Sequence, residues 1–413
     1  MRKIFSCIDI GSHSIKLLVM EKLKDKFVVL SRFIVKSKGI KKGMIVDEEE
    51  ALGSIKKVLD MVEADLGVSI QSLLLLISSD SVEFSMTEGN VEISGSPITK
   101  NEITKVLQAS IKDRVDESRI LVSVTPVFYS VDGNENLKDV RGLVGNRLSV
   151  KAVVSTIPTS VALPYFSLFK KLGIEIIDVE LSLVGDYYAS GDTSLDKEVV
   201  AVINIGYDKT DVGIFNKGIL IKCARLDVGS RLIDKDIAFN YNLERKKCRY
   251  LKETFAVCNT RYADVGEVVH IKDKDGKEMV INQLKLSELV ESRVHEILKL
   301  AKKQISLLTN REIRYIIITG GISEIAGFEY TLENVYGRSG ILLNTSNMGG
   351  RSNSYSSCFG FIKCFQERLE LKGKEYTMIS KEALDSMTKS KNKTASESGL
   401  GGILSYFTGN KED

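Results

Sequence analysis

Short runs of β-forming residues alternate with apolar residues at helical spacing along most of the chain, which predicts an α/β architecture. The first run, Ile4–Val19, is broken only at Asp9-Ile10-Gly11-Ser12-His13-Ser14, so it predicts a β-hairpin with a polar turn. Phe27–Val35 adds another strand, and Lys38–Asp47 reads as a polar loop leading to a helix. Asp47 and Glu50 have capping-box spacing, and Ala51, Ile55, Val58, Leu59 and Val62 then fall on one helical face. Ser72–Ser79 is continuously apolar, as a strand buried on both faces would be.

Beyond this point the pattern predicts a smaller β/α unit. Val82–Met86 and Asn90–Ile93 are expected to form a short hairpin about Glu88-Gly89. Thr99 should cap a helix through Glu102, with Ile103, Val106, Leu107 and Ile111 facing inward. Ser118–Val131 is a strand pair or one long strand, Asp132-Gly133-Asn134 a turn, and Leu148–Val154 a further strand. A helix over Pro158–Leu172 and a strand over Ile174–Leu183 follow.

The opening layout then recurs. Val199–Cys223 reads strand, Asn204-Ile205-Gly206-Tyr207-Asp208-Lys209-Thr210, strand, turn and strand, which is an internal duplication of the first hairpin. A third stretch, Arg314–Phe328, is a buried strand ending in Gly320-Gly321, with Ser323 expected as a helix cap. Chemistry follows from these turns. Gly11 lets a backbone approach a phosphate closely, Ser12 and Ser14 offer donors, and Lys16 lies two residues beyond. Asp9 could hold Mg²⁺ through water. Alone, the first turn is an ordinary hairpin. With its duplicate it could clamp a phosphate chain between two domains, while paired glycines pack flat against a base or ribose.

Composition narrows the alternatives. A chain of 413 residues with 43% hydrophobic and 27% charged positions suits a soluble protein of two or more domains. A net charge of +3 gives no reason to expect nucleic acid. Six cysteines without CxxC spacing are expected as reduced thiols, and three histidines offer no zinc pattern. Met1-Arg2-Lys3 leads directly into a strand, so no signal segment is expected, and no apolar run reaches the ~20 residues of a membrane span.

The order of the three stretches resembles the actin/Hsp70/sugar-kinase superfamily, with phosphate-1 hairpin, phosphate-2 hairpin and adenosine loop. Within it the chain resembles the FtsA family of bacterial cell-division proteins. Pro126–Gly133 (PVFYSVDG), Asp139–Leu148 (DVRGLVGNRL), Arg225–Ile237 (RLDVGSRLIDKDI) and Ile316–Phe328 carry the likeness. The resemblance implies a two-lobed actin-like α/β fold with an inserted module and a C-terminal amphipathic helix. The implied division is a first lobe over 1–82 and 161–197, with the inserted module at 83–160. The second lobe begins at 198–238, has a docking subdomain at 239–310 and an adenosine-loop part at 311–380. A linker over 381–397 and a membrane-targeting helix over 398–413 complete it.

The implied ligand is ATP with Mg²⁺, in a cleft formed by Asp9, Gly11, Ser12, His13, Ser14, Lys16, Asn204, Gly206, Thr210, Lys252, Gly320, Gly321 and Ser323. Asp9 is the implied metal residue. The family's pattern has an acid where Asn204 stands, and approximate alignment places acids at Arg249 and Ser182. Fewer carboxylates around the metal predict binding with weak or absent ATPase activity. The implied partners are the acidic C-terminal tail of FtsZ, further copies of the chain in filaments, and the cytoplasmic face of the membrane at the division site. Arg293 and Lys299, with Lys302 and Lys303, suit an acidic tail. After the polar stretch Lys389–Ser398, Leu400, Ile403, Leu404 and Phe407 form one apolar stripe for lipid. A sugar-kinase-type phosphotransferase and a pilus-assembly relative are the alternative readings.

Overall fold

The structure, a computed structural model, describes residues 2–24, 26–112, 114–343 and 352–379. The first hairpin forms as its pattern predicts. β1 (Lys3–Ile10) and β2 (Ser14–Leu23) pair antiparallel, and β3 (Lys26–Lys36) pairs with β2. The polar loop contains a minimal ribbon, β4 (Ile40–Lys41) and β5 (Met44–Ile45). Asp47 then caps α1 (Glu48–Leu66) by accepting from the Glu50 N–H, and Gly67 ends it in the left-handed region. All of β6 (Ser72–Ile77) is buried, because it runs parallel to β1 in the middle of a sheet.

The inserted unit departs from its prediction at one point. β7 runs unbroken over Glu83–Glu92, with no hairpin at Glu88-Gly89. Gly89 is mid-strand because α2 (Lys100–Ile111) lies directly on it: a Cβ there would sit 2.3 Å from the Val106 carbonyl oxygen. Thr99 and Glu102 form the complete capping box of α2. β8 (Arg119–Val131) is one long strand, turned at Asp132-Gly133 into β9 (Asn134–Leu137), and β10 (Arg147–Pro158) is the longer form of the strand expected at 148. These strands make their own sheet in the order β7-β10-β8-β9 around a separate small core that includes Val106, Leu148 and Val150.

After α3 (Thr159–Lys171), β11 (Glu175–Leu181) joins the first sheet, giving β11-β6-β1-β2-β3. Helix α4 (Ser182–Ala189) starts where the strand was expected to continue and carries the chain to the second lobe. There β12 (Val199–Ile205), β13 (Thr210–Asn216) and β14 (Ile219–Leu226) repeat the opening meander. Helices α5 (Arg231–Tyr241) and α6 (Arg245–Thr254) follow, then a ribbon of β15 (Val268–Lys272) and β16 (Glu278–Asn282), and α7 (Gln283–Leu308). β17 (Tyr315–Thr319), α8 (Phe328–Tyr336) and β18 (Gly340–Leu342) complete a second five-stranded sheet, β14-β13-β12-β17-β18. Read outward from the hairpins, both sheets have the same order and the same mixture of pairings. The duplication seen in the turns therefore extends to whole lobes.

Helix α9 (Ser356–Lys372) returns to the first lobe, where Phe365 packs edge-on against Phe5 of β1 at 6.0 Å. It crosses α4 with backbone against backbone. A Cβ on Gly360 would lie 1.7 Å from the Gly185 carbonyl oxygen, and one on Gly185 2.2 Å from that of Ser357. The six cysteines form no disulfide. Among the described residues no helix is long and apolar enough to cross a membrane.

Candidate functional site

Both hairpin turns close in the same way. The Gly11 N–H donates to the Ser14 carbonyl at 3.0 Å, and the Gly206 N–H to that of Lys209 at 2.9 Å. The strands pair again at Ile10 with Ile15 and at Ile205 with Thr210. Asp9 and Asn204 therefore occupy equivalent positions, each two residues before the turn glycine. The turns meet across the lobes, with the His13 and Tyr207 rings 4.4 Å apart. Lys16 holds Asp9 from the next strand, Nζ to Oδ2 2.9 Å. Burial lowers the Lys16 pKa, and the Asp9 carboxylate reverses that and raises it. Gly320 seats the third turn on the second hairpin at φ 99°, where a Cβ would be 2.2 Å from the Ile205 carbonyl oxygen. Ser323 is not a helix cap. It lies within a 3-10 turn, donates to the Gly320 carbonyl at 2.7 Å and accepts from Asn353 at 3.0 Å, while Gly327 precedes α8. Thr210 is buried and donates to the Val228 carbonyl at 2.8 Å, so it braces the second turn.

The wall formed by α5 and α6 reverses two expectations. Lys252 is 3% exposed, and its amine is held 2.7 Å from Asp234 Oδ1, so it backs the wall without reaching the cleft surface. Arg249, one turn earlier, is the cation that faces the cleft. Its guanidinium lies 4.9 Å from the centre of the Tyr207 ring, 3.6 Å from Asp234 Oδ2, and donates to His13 Nε2. His13 is thereby neutral with its proton on Nδ1. Burial first, and Arg249 second, lower its pKa to about 4, opposed by Asp234 and reinforced by Lys252 and Lys36. The folded value lies below the ordinary 6.5, so stability from neutral His13 is complete above that value and is lost as pH falls through about 4. Thermal melts from about pH 6.5 to about pH 4 should show that acid-side loss, and His13→Gln should lessen it; an unchanged slope would refute the contact's role.

One functional candidate escaped the sequence reading. Asp186 on α4 is fully buried and accepts from Ser356 Oγ at 2.7 Å, Ser357 Oγ at 2.8 Å and Asn204 Nδ2 at 2.5 Å. Burial raises its pKa to about 6, against the lowering effect of those donors and Thr319. The acid expected at Ser182 is absent, and Ser182 instead donates to the Ile77 carbonyl at 3.3 Å. The one available signal was an acid set in an apolar helical run, Leu183-Val184-Gly185-Asp186-Tyr187-Tyr188. Further bridges join the lobes: Arg225 to Asp80 at 2.6 Å, Lys42 to Asp227 at 3.0 Å, and Lys209 of the second turn to Ser78 beyond β6.

Comparison with known proteins accounts for both the duplicated lobes and the insertion. A model described as the SHS2 domain inserted in FTSA matches residues 80–156, and one for the cell division protein FtsA matches 201–360. The chain belongs to the FtsA family. The FtsA of Bacillus subtilis is 23% identical over 381 residues, covering 90% of this chain and 86% of that protein. That of Enterococcus hirae is 23% identical over 86% of this chain and 81% of its own length. The fold is actin-like. The PilM-PilN type IV pilus biogenesis complex matches with TM-score 0.57 at 11% identity over 86% of this chain and 96% of that one. MreB 5 of Spiroplasma citri bound to AMPPNP matches with TM-score 0.52 at 14% identity over 89% and 98%.

In this FtsA-family chain the expected docking cations are unequal. Arg293 is already held within the chain: its Nε and Nη2 donate to Asp236, at 2.6 and 3.0 Å, and its Nη1 donates to Glu296. Lys302 donates to the Val335 carbonyl at 2.7 Å. Lys299 and Lys303 are exposed on α7 and make no ion pair among the described residues. Leu400, Ile403, Leu404 and Phe407, with the linker before them, lie outside the described residues.

Proposed function

We propose that this FtsA-family chain binds ATP with Mg²⁺ between its two hairpins, assembles into filaments, and tethers FtsZ filaments to the cytoplasmic face of the membrane at the division site. The matched hairpins facing each other across the lobes support the nucleotide reading. The residues fit the group: the turn glycines leave backbone bare, and Asp9 and Lys16 supply one anion and one cation. Gly11, Ser12, Ser14 and Gly206 would line the phosphates from their turns. Asp9 would hold the metal through water, Lys16 would balance charge, and Gly320, Gly321 and Ser323 would border the nucleoside. Bound Mg²⁺ supplies charge neutralisation on phosphate oxygens.

Slow turnover follows from what surrounds that space. Asn204 carries no charge, the carboxylates on the hairpins already hold cations (Asp9 with Lys16, Asp208 with Arg231 at 2.7 Å, Asp211 with Lys209 at 2.8 Å), and Asp186 is buried among neutral donors. A carboxylate so paired is a weak base toward an attacking water. A fluorescent ATP analogue should bind the purified chain, while steady-state hydrolysis stays well below the ~1 s⁻¹ of working phosphotransferases. Turnover at or above that rate would contradict the reading. It would favour the kinase alternative if a small sugar were the acceptor.

Membrane attachment rests on the stripe of Leu400, Ile403, Leu404 and Phe407. Each fully buried apolar side chain is worth ~1.5–3 kcal/mol, and interfacial insertion recovers only part. Gly401 and Gly402 each cost about 1 kcal/mol in a helix, so one copy binds marginally. Assembly presents many copies together and converts this into firm attachment. Deleting Ser398–Asp413 should leave a folded chain that binds ATP and an FtsZ tail peptide, the latter through Lys299 and Lys303 with Arg293 as their scaffold. It should no longer sediment with liposomes. Sedimentation unchanged by the deletion would place the anchor elsewhere.

A further inference from the structure

We propose that Asp186 is a positioning residue for the cleft: it holds the Asn204 amide with nitrogen inward and oxygen toward the space between the hairpins. The inference rests on the nucleotide reading above and deepens it. Asp186 lies at the first turn of α9, where Ser356 and Ser357 both donate to its Oδ1. An ionised carboxylate only accepts, so the group 2.5 Å from its Oδ2 must be the Asn204 Nδ2. The amide oxygen is then left on the opposite side. Asn204 is half-buried while Asp186 is fully buried, and no hydrogen bond occupies Asn204 Oδ1 among the described residues. Asn204 stands where Asp9 stands in the other hairpin. The chain therefore retains an oxygen acceptor at this position without a second charge there.

The arrangement also explains the amide itself. An aspartate at 204 would set two carboxylates in the place of a donor and an acceptor 2.5 Å apart, and they would have to share a proton. Other groups around Asp186 leave this pairing intact. Lys16 of β2 is drawn toward both Asp9 of β1 and Asp186, with Cys358 of α9 close by. Asp211 of β13 pairs in register with Asn204 but is held by Lys209. Glu180 of β11 is held by Arg368 of α9, and Thr319 of β17 is neutral.

The test is a swap. In Asp186→Asn, with the two serines still donating to the side-chain oxygen, the new nitrogen faces Asn204 and turns that oxygen inward. Asn204→Asp alone creates the crowded acid pair. Together, Asp186→Asn with Asn204→Asp restores a donor–acceptor pair and an outward oxygen. The full chain is titrated with a fluorescent ADP analogue with and without Mg²⁺ at about pH 8, where the phosphates are ionised, and melted without nucleotide from about pH 5 to about pH 8. Mg²⁺ should strengthen wild-type binding by about tenfold, as one charge-assisted contact supplies. Each single variant should lose most of the Mg²⁺ effect, and the swap should recover it. The swap should also melt closer to wild type than Asn204→Asp does. A swap no better than the singles overturns the proposal. Should the wild-type chain bind no nucleotide at all, the nucleotide reading fails. The pairing is then judged by the melts, where absence of rescue by the swap overturns it.

Discussion

Gly360→Ala should destabilise the chain by more than the ~1–3 kcal/mol usual for an overpacked core, and should loosen the junction between the lobes. Two effects oppose each other. Alanine is favoured over glycine in a helix by about 1 kcal/mol, so propensity alone predicts a more stable α9. Packing decides the sign. The added carbon would lie 1.7 Å from the Gly185 oxygen and 2.6 Å from the Ala189 nitrogen, all backbone of α4 that no rotamer change can clear. The two helices must separate. Because Ser356 and Ser357 reach Asp186 across this crossing, separation also strips a buried carboxylate of its donors. Gly185→Ala should act similarly, since its added carbon meets the Ser357 carbonyl at 2.2 Å. Urea unfolding followed by circular dichroism measures the loss. A Gly360→Ala protein as stable as wild type would show that the crossing is looser than its geometry indicates.

The hairpins were legible because their chemistry is local. A period of two, a polar turn and one glycine are all visible within a short stretch, and finding the stretch twice supplied the duplication of the lobes. Capping at Asp47 and Thr99 was legible for the same reason. Gly89 was not, because what excludes a side chain there is a helix backbone from elsewhere in the unit, and a glycine in a strand looks the same from sequence whether it turns or is packed upon. Cations failed in the same manner. Arg293 and Lys252 were read as charges awaiting a ligand, but their carboxylates, Asp236 and Asp234, come from α5. Long-range pairing also hid Asp186, whose donors come from α9 and β12. Spacing shows what a segment can do by itself. It does not show which of its charges the fold has already used.

Lys252→Met should therefore cost stability before it affects any ligand. Among the described residues the amine is the only cation in contact with Asp234 Oδ1, at 2.7 Å, and both side chains are almost wholly buried. Asp234 Oδ2 has no hydrogen-bond partner among the described residues, and Arg249 stands 3.6 Å away. Removing one partner of a buried pair leaves the other charged and desolvated, a loss of about 3–5 kcal/mol. Arg249 offsets part of that by moving toward Asp234, at the expense of its contacts with His13 and Tyr207. Removing both charges is a different experiment. A paired apolar replacement is often nearly neutral, so Lys252→Met with Asp234→Leu should regain most of the stability lost by the single variant. The double variant then separates bracing of the wall from contact with nucleotide as roles for Lys252. If the lysine only braces α5 against α6, the refolded double variant binds a fluorescent ATP analogue within a few-fold of wild type, whereas direct contact with the nucleotide predicts a loss of about tenfold or more. The burial of Lys252 and the exposure of Arg249 lead us to expect the smaller change, together with a marked loss in Arg249→Ala. A double variant that is stable but no longer binds nucleotide would return Lys252 to the cleft.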